Sequence, residues 1–415
     1  MDGFRIYLQI VILLNLLCMT LVESDGTNIN EENLKLHMVN LVFRHGKRTP
    51  VRPYPSDAYG PEKWSQGLGQ LTYKGQREMY KLGTFLRNKY DFFLDQSFNE
   101  NQIYVRSTDF DRTIDSANWT LKGLYPNETN RWLNDIYVPE GDDILFPVTY
   151  VCSYYKKLFE KVRQSSEYKQ FVNDNQEFLK YINEEAEYNY SSLSRMASKC
   201  YDFNDAITIE ISHNLTQPQW ITDEIIAKSS EIAVHYLHFL FDGNIDICRL
   251  KGGPIVQLLL GNMEKKHSTR QVYMYSGHDT TLVPLSMALG IYDGAPPPPA
   301  TCLGVELWND SQNEYYVKIW YRNDSTVDPY IMSLPTCTDL CPLDEFKRIL
   351  TNVLPGDIRD SCRTPLENYT LFVAIMVACL FFFCLIVMYF ITRKPNHKSN
   401  DEPTEYQELV PAQFP

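Results

Sequence analysis

The residues Arg44, His45 and Arg48 place one imidazole between two guanidinium groups. Arginine is well suited to phosphate, because its planar fork donates two parallel hydrogen bonds. Positive neighbours disfavour the imidazolium form, so this histidine loses its proton more readily than usual. A neutral imidazole is a nucleophile, and a nucleophile lined by arginines predicts phosphoryl transfer.

A second pair, His278 and Asp279, lies far along the chain in a similar setting. It follows the apolar run 272–275, and the arginine and histidine pair at 44–45 follows the apolar run 36–43. Short apolar runs of this kind predict buried strands. Ligands of open α/β sheets bind beyond the carboxyl ends of strands, so both stretches are candidates for one functional site.

Three segments, in this order, resemble the signatures of the histidine acid phosphatases. They are Arg-His-Gly-Lys-Arg-Thr-Pro at 44–50, Tyr-Val-Arg-Ser-Thr-Asp at 104–109 and Gly-His-Asp-Thr-Thr-Leu at 277–282. The resemblance extends from about residue 36 to 362. It implies hydrolysis of phosphate monoesters at acid pH through a phosphohistidine intermediate.

The resemblance also implies a role for each residue. His45 is the nucleophile, and Asp279 protonates the leaving group and then accepts a proton from water. The phosphate-binding residues implied are Arg44, Arg48, Arg106 and His278. No metal or other cofactor is expected, because arginines supply the positive charge and the histidines of the sequence are scattered.

Other interpretations of these residues remain open. A lone His-Asp pair is often structural, and Arg106 can instead bridge to Asp109 or Asp111. The protein can also be a catalytically idle receptor-like ectodomain, or a phytase-like inositol phosphate phosphatase. Phosphomutases of the wider superfamily are typically cytosolic, which the terminal segments of this chain argue against.

Lys47 departs from the family pattern. Secreted animal members commonly carry an acidic residue between the glycine and the second arginine. A lysine there either raises the positive potential at the mouth of the site, favouring highly charged substrates, or points to solvent.

The terminal segments predict a type I membrane protein. Residues 1–24 have the charged start and apolar stretch of a signal peptide, with an uncleaved anchor as the alternative. Residues 371–391 are uncharged and long enough to cross a bilayer, with a removable lipid-anchor signal as the rival. Arg393 and Lys394 follow, which places the tail 392–415 in the cytoplasm and residues 25–370 in the lumen.

The tail contains Tyr406 and Leu409, spaced as in an adaptor-binding sorting signal. This spacing predicts retrieval by a clathrin adaptor, and therefore a lysosomal or endosomal location as the alternative to the cell surface.

Cysteines and sequons are consistent with the secretory pathway. The family resemblance implies the disulfides Cys152–Cys362, Cys200–Cys302 and Cys337–Cys341, and it leaves Cys248 as a buried thiol. Glycosylation is expected at several of the sequons, which lie at Asn118, Asn127, Asn189, Asn214, Asn309 and Asn323. A further sequon at Asn368 lies beside the membrane span and is the least favoured.

The pattern of elements predicts an α/β fold. Strand-like and helix-like segments alternate, whereas residues from about 130 to 245 are helical and poor in strands. The resemblance implies a central, mostly parallel sheet flanked by helices, as in phosphoglycerate mutases, with an inserted all-helical cap. The net charge of −13 argues against nucleic acid as a partner. The expected substrate is a small phosphomonoester or a phosphoprotein, and a homodimer is a further candidate assembly.

Overall fold

The computed structural model describes residues 33–128, 135–139, 143–146, 152–241, 244–265 and 269–392. The signal-peptide segment and the tail with Tyr406 and Leu409 lie outside these residues. The strands are β1 (Lys35–Arg44), β2 (Ile103–Ser107), β3 (Ile136–Tyr137), β4 (Val272–Gly277), β5 (Cys302–Asn309), β6 (Tyr315–Arg322), β7 (Tyr330–Met332) and β8 (Leu340–Pro342). The α-helices are α1 (Tyr73–Tyr90), α2 (Asp111–Leu124), α3 (Ser153–Gln164), α4 (Ser166–Asp174), α5 (Gln176–Glu185), α6 (Leu193–Ser212), α7 (Asp223–Phe241), α8 (Ile245–Lys251), α9 (Gly253–Met263), α10 (Asp279–Ala288), α11 (Leu343–Leu350), α12 (Ile358–Ser361) and α13 (Pro365–Thr392).

One mixed sheet organises the fold, in the order β3-β2-β4-β1-β5-β6-β7, with β8 paired to β6. The strands β3, β2, β4 and β1 are parallel. The strands from β5 onward pair antiparallel, because β5 and β6 are joined by a short hairpin. The predicted fold class is therefore confirmed, and the parallel half is the one that carries the three motifs.

β1 is buried on both faces, as expected for a central strand. On one face of the sheet, Met79, Leu82 and Leu86 of α1 pack with Ala117 and Leu121 of α2. On the other face, apolar residues of α9, α10 and α11 form a second core with the strands. Helices on both faces hold the carboxyl ends of the parallel strands in fixed positions.

The helices α3 to α7 form an all-helical segment, which we call the cap. Its interior consists of apolar clusters that contain no strand residue, such as those around Phe203 and Tyr168. The cap begins later than residue 130, because Ile136–Tyr137 still pairs with β2 in the sheet. Ser165 separates α3 from α4, because it ends α3 and its side chain accepts a hydrogen bond from Tyr168 N at the start of α4.

A carboxyl pair lies between the cap and the loop that precedes α1. Glu210 of α6 is fully buried and faces Asp57, and no ion pair to either is found in the described part of the chain. Burial and the charge of Asp57 raise the pKa of Glu210 to about 8. Burial also raises the pKa of Asp57. We infer that the two carboxyl groups share a proton at acid pH.

This pair predicts a pH-dependent stability. A pKa raised on folding stabilises the protein fully below the unfolded pKa, and that contribution is lost as the pH rises toward about 8. The melting temperature of wild type is expected to fall by several degrees more than that of Glu210→Gln between pH 5 and pH 8.5. Scanning fluorimetry measures both, with the exposed Glu184→Gln as the matched control. Equal pH dependence of wild type and Glu210→Gln would contradict the shared proton.

Two disulfides are formed, Cys152–Cys362 and Cys337–Cys341, as the resemblance implied. The first closes a loop of 210 residues. In the chain-entropy model, closing such a loop stabilises the fold by about 5 kcal/mol.

The third predicted disulfide, Cys200–Cys302, is wrong. Cys200 lies on α6 inside the cap core, and Cys302 begins β5 inside the sheet core. Both are buried thiols in separate apolar clusters, so no bond joins them. Cys248 is also buried, and its thiol donates to the carbonyl oxygen of Phe241.

The helix α13 belongs to a separate unit that begins at residue 363. Its apolar stretch Phe372–Thr392 has a mean hydropathy of 2.9 and 21 residues. By length and composition this stretch can cross a membrane. It begins and ends one residue later than the segment predicted from the sequence.

Candidate active site

The ends of β1 and β4 bring the two histidines together. Arg44 of β1 is paired with Gly277 of β4, and His45 N donates to the Gly277 carbonyl at 3.0 Å. The ring centroids of His45 and His278 are consequently 5.5 Å apart. Both rings are almost completely buried. Strand pairing alone therefore brings together two motifs that are far apart in the sequence.

His45 is held as a neutral ring with one free nitrogen. Its Nδ1 lies 2.8 Å from the carbonyl oxygen of Gly46 and is the donor in that contact. Burial lowers the pKa of His45 well below its usual value, and the charges of Arg44 and Arg48 lower it further. A neutral imidazole protonated on Nδ1 has its lone pair on Nε2. Nε2 is therefore the nucleophilic atom.

The turn after His45 requires glycine. A Cβ at Gly46 would lie 2.5 Å from the carbonyl oxygen of Gly75 in α1. This close approach lets Lys47 O accept a hydrogen bond from Thr72 N at 2.9 Å, and Thr72 is the N-cap of α1. The loop carrying the nucleophile is thus fixed against the first turn of a helix.

Carboxylates pair with two guanidinium groups of the site. Arg44 Nη2 lies 2.8 Å from Asp279 Oδ2, and Arg44 Nη1 donates to the Pro297 carbonyl at 2.6 Å. Arg48 donates two hydrogen bonds to Asp205 of the cap, at 3.1 and 3.0 Å. A bound phosphate would compete with these carboxylates for the same donors.

Asp279 is an ionised carboxylate in this state. Burial by itself raises the pKa of Asp279, but the charges of Arg44 and Arg48 outweigh burial, so that its pKa lies below the ordinary value. Thr280 N donates to its Oδ1 at 2.7 Å, because Asp279 is the first residue of α10. An acid role for Asp279 therefore requires that a bound anion first offset the two arginines.

His278 is locked by its neighbours. Its Nε2 lies 2.9 Å from Thr108 Oγ1, and its Nδ1 lies 3.3 Å from Arg112 Nη2. Arginine is always a donor, so Nδ1 accepts and Nε2–H donates to Thr108. Burial lowers the pKa of His278 to about 3, and the charge of Arg112 adds to this effect. The predicted hydrogen bond from His278 to phosphate would use Nε2–H. It therefore requires that Nε2–H first give up its hydrogen bond to Thr108.

Arg112, and not Arg106, is the third arginine at this site. Arg106 Nη2 pairs with Asp143 Oδ1 at 2.5 Å, and its guanidinium lies over the ring of Tyr137. Burial lowers the pKa of Arg112 to about 10. The charge of Arg48 lowers this pKa further and that of Asp279 raises it, so Arg112 interacts electrostatically with residues of the site. The structure therefore favours Arg112 over Arg106 for the predicted phosphate-binding role, because Arg106 pairs with Asp143 and is not among the residues that line the cavity, whereas Arg112 contacts His278.

A pair of substitutions separates these two arginines. Arg112→Met is expected to lower kcat/KM for a phosphate monoester by about 100-fold with little change in melting temperature. Arg106→Met leaves Asp143 buried without its partner, so it is expected to lower the melting temperature while kcat/KM changes only a few-fold. Steady-state kinetics and scanning fluorimetry measure both quantities. The opposite pattern would restore Arg106 to the site.

The cavity above the ends of β1 and β4 has a volume of about 200 Å³. Arg44, His45, Arg48 and Asp279 form its floor. The cap supplies one wall, and the loop after α10 supplies another. The wall residues are Tyr201, Asn204, Asp205, Thr208, Ile209, Ser212, Ala233, Leu237, Pro296 and Pro299, and Lys47 lines the same cavity. Both ends of the proline run 296–299 are thus part of the site.

Sequence reasoning missed two site residues, for different reasons. Arg112 had a usable signal, because it lies only three residues beyond the motif at 104–109. Asp205 had none, because its 157-residue separation from Arg48 is bridged only by the packing of the cap.

A histidine between arginines at the ends of parallel strands is the arrangement expected of an α/β protein of phosphoryl transfer. The chain belongs to the histidine phosphatase superfamily, branch 2, which matches residues 35–322.

Curated relatives and solved structures agree with this membership. The chain is 34% identical to the lysosomal acid phosphatase of Rattus norvegicus over 371 residues, 85% of this chain and 86% of the relative. It is 34% identical to the prostatic acid phosphatase of Homo sapiens over 345 residues, 80% of this chain and 88% of the relative. The structure of Hafnia alvei phytase with tartrate has a TM-score of 0.62 and 16% identity, covering 80% of this chain and 99% of that one. The last likeness concerns the fold.

Proposed function

We propose that this protein is an acid phosphatase that hydrolyses phosphate monoesters through a phosphohistidine on His45. The observation that carries the proposal is the neutral His45 ring, whose Nδ1 donates to Gly46 O and whose lone pair is therefore on Nε2. Family membership and the similarity to lysosomal and prostatic acid phosphatases support it.

In the first step, the Nε2 lone pair of His45 attacks phosphorus. A P–N bond forms as the ester P–O bond breaks, and the leaving alkoxide takes a proton from Asp279. Arg44, Arg48 and Arg112 hold the phosphoryl oxygens and stabilise their charge. The ester thereby becomes a phosphohistidine and a free alcohol.

In the second step, a water molecule attacks the phosphohistidine. Asp279, now a carboxylate, accepts a proton from this water as the new P–O bond forms and the P–N bond breaks. Inorganic phosphate leaves, and His45 returns to its neutral form. One residue thus serves as acid and then as base.

The acid dependence follows from Asp279. Although burial raises it, the pKa of Asp279 lies below the ordinary value, because Arg44 and Arg48 favour the carboxylate. A phosphate anion bound to these arginines offsets their charge, so Asp279 gains a proton most readily in acid. We therefore expect maximal kcat/KM below neutral pH.

The test is turnover of p-nitrophenyl phosphate by the detergent-solubilised full chain between pH 4 and pH 8. A maximum below pH 7 is expected. No turnover across this range would favour the receptor-like alternative, and a maximum above neutrality would remove the acid role of Asp279. The phytase-like alternative rests on a likeness of fold alone.

The proposal extends to the compartment. A single-pass protein with a luminal catalytic domain, in lysosomes or endosomes, fits the named lysosomal relatives and the apolar span in α13. Asn127, Asn189 and Asn214 are exposed and are the favoured glycosylation sites. Asn118 is disfavoured, because it lies inside α2 with its side-chain oxygen buried.

The tail motif has its own test. Replacing Tyr406 with alanine is expected to slow internalisation several-fold, because the tyrosine would fill a pocket of a clathrin adaptor. Surface biotinylation measures the effect, with Gln407→Ala as the neighbouring control. Unchanged internalisation of Tyr406→Ala would remove the sorting hypothesis.

A further inference from the structure

Arg112 differs from the other two arginines of the site in what holds its guanidinium group. Arg44 and Arg48 are each paired with a carboxylate. Among the residues that the structure describes, Arg112 has no ion pair, and its side-chain hydrogen bond goes to His278 Nδ1 at 3.3 Å. No carboxylate there competes with a phosphate group for the donors of Arg112.

An aromatic ring takes the place of a carboxylate at Arg112. Its guanidinium carbon lies over the Phe110 ring, 4.5 Å from the ring centroid. A cation over the face of an aromatic ring is attracted by the ring quadrupole, and the attraction is stronger when the contact is removed from water. Arg112 is largely buried, which provides this shielding. The ring can therefore orient the guanidinium group without accepting hydrogen bonds from its N–H donors.

The backbone fixes the position of Phe110. This residue is the N-cap of α2, and its carbonyl accepts hydrogen bonds from Thr113 N at 2.9 Å and from Ile114 N at 3.0 Å. Its own N donates to the carbonyl of Thr108 at 2.9 Å. The start of α2 thus holds the ring in place, and the same helix carries Arg112.

The Phe110 ring also contacts the second histidine of the site. The His278 ring packs edge-on against Phe110 at 5.0 Å and against Phe146 at 5.1 Å. The two phenylalanine rings are themselves 5.0 Å apart. Both contact His278, but the ring that lies against Arg112 is that of Phe110. Phe110 therefore contacts both members of the hydrogen bond between Arg112 and His278.

We propose that Phe110 is a positioning residue, whose ring holds the guanidinium group of Arg112 so that its N–H donors stay available to the phosphoryl oxygens. The inference rests on the proposed phosphatase activity and adds a residue that acts through Arg112. A side chain at 110 without a quadrupole fills space but leaves the long arginine side chain free to adopt other rotamers. Weaker phosphate binding and a lower kcat/KM are the expected consequences, with the fold intact.

The first test replaces Phe110 of the full chain with mono-, di- and trifluorophenylalanine. Fluorine withdraws charge from the face of the ring and weakens its attraction for a cation, while the size of the side chain changes little. The kcat/KM for p-nitrophenyl phosphate is expected to fall stepwise with each fluorine, to about tenfold below wild type. Unchanged kcat/KM across the series would overturn the proposal, because a ring with a merely structural role tolerates fluorine.

A double-mutant cycle tests whether Phe110 acts through Arg112. Phe110→Leu is expected to lower kcat/KM by about tenfold in wild type, and by about twofold or less in the Arg112→Met background. Equal losses in the two backgrounds would show that Phe110 does not act through the arginine, and would overturn the proposal.

Two matched controls accompany the cycle. Phe146→Leu removes a ring that contacts His278, and its loss is expected to be the same in wild type and in Arg112→Met. Trp119→Leu removes another aromatic contact of α2, with Lys122 at 4.2 Å, and is expected to keep wild-type kcat/KM. Coupling of Phe146 to Arg112 as large as that of Phe110, or an equal fall in Trp119→Leu, would indicate general packing and would overturn the proposal.

Binding of inorganic phosphate keeps this inference separate from the proposed activity. Phosphate binds without being turned over, and thermal stabilisation of the full chain reports its binding. It should stabilise wild type more than the trifluorophenylalanine variant, whether or not a phosphate ester is hydrolysed. Absence of turnover in wild type would sink the phosphatase proposal, and equal stabilisation by phosphate would sink the role of Phe110.

Discussion

The His45→Ala protein is expected to lose turnover of phosphate monoesters by a factor on the order of 10⁴ or more. His45 is the nucleophile, and no other imidazole nitrogen at the site has a comparable position. His278 is engaged at both ring nitrogens, by Thr108 and by Arg112. Alanine removes the bond-forming atom while the arginines remain.

Two measurements check this expectation. Wild type mixed with radiolabelled substrate and denatured rapidly in alkali, where phosphoramidates persist, should retain label that is absent from His45→Ala. The exposed His235→Ala, on α7, serves as the matched control and should keep wild-type kcat/KM. Substantial turnover or covalent label in His45→Ala would show that the nucleophile is another residue.

Asp279→Asn is expected to have an effect that depends on the leaving group. An alkyl alkoxide is a poor leaving group without a proton, so its release should slow by about 10²- to 10³-fold. Nitrophenolate leaves without protonation, so the first step for p-nitrophenyl phosphate should slow much less. Asparagine keeps the size of Asp279 but neither gives nor accepts the required proton.

The measurement is a pre-steady-state burst with each substrate, which isolates the first step. A burst of nitrophenol followed by slow turnover is expected for Asp279→Asn, because the second step lacks its base. Thr280→Val, at the next position of α10, is the control for local disturbance. Equal slowing of both first steps would contradict the acid role.

The sequence predicted those parts of the site that strands position. Apolar runs identified β1 and β4, and pairing of Arg44 with Gly277 then brings the two motifs together without further information. A motif fixes where a strand ends but not which side chain turns inward. That limit explains why the sequence pointed to Arg106, which lies within β2, while Arg112 reaches the site from α2.

Sequence patterns could not predict the contacts that the cap makes with the rest of the site. Asp205 reaches Arg48 because α6 packs over the strand ends, and a lone aspartate on a helix gives no such signal. The same packing explains the wrong Cys200–Cys302 bond. The order of cysteines along a chain does not determine the distances between them in the fold, and these two lie in different cores.

The bond between Cys152 and Cys362 closes half of the chain into a ring. A protease that cuts the chain once inside this interval opens the ring without separating the pieces. A cut within the cap would leave His45 on one fragment and Asp279 on the other, still in one covalent molecule. Nicked enzyme should therefore run as a single species until it is reduced, and it should keep its site in a compartment rich in proteases.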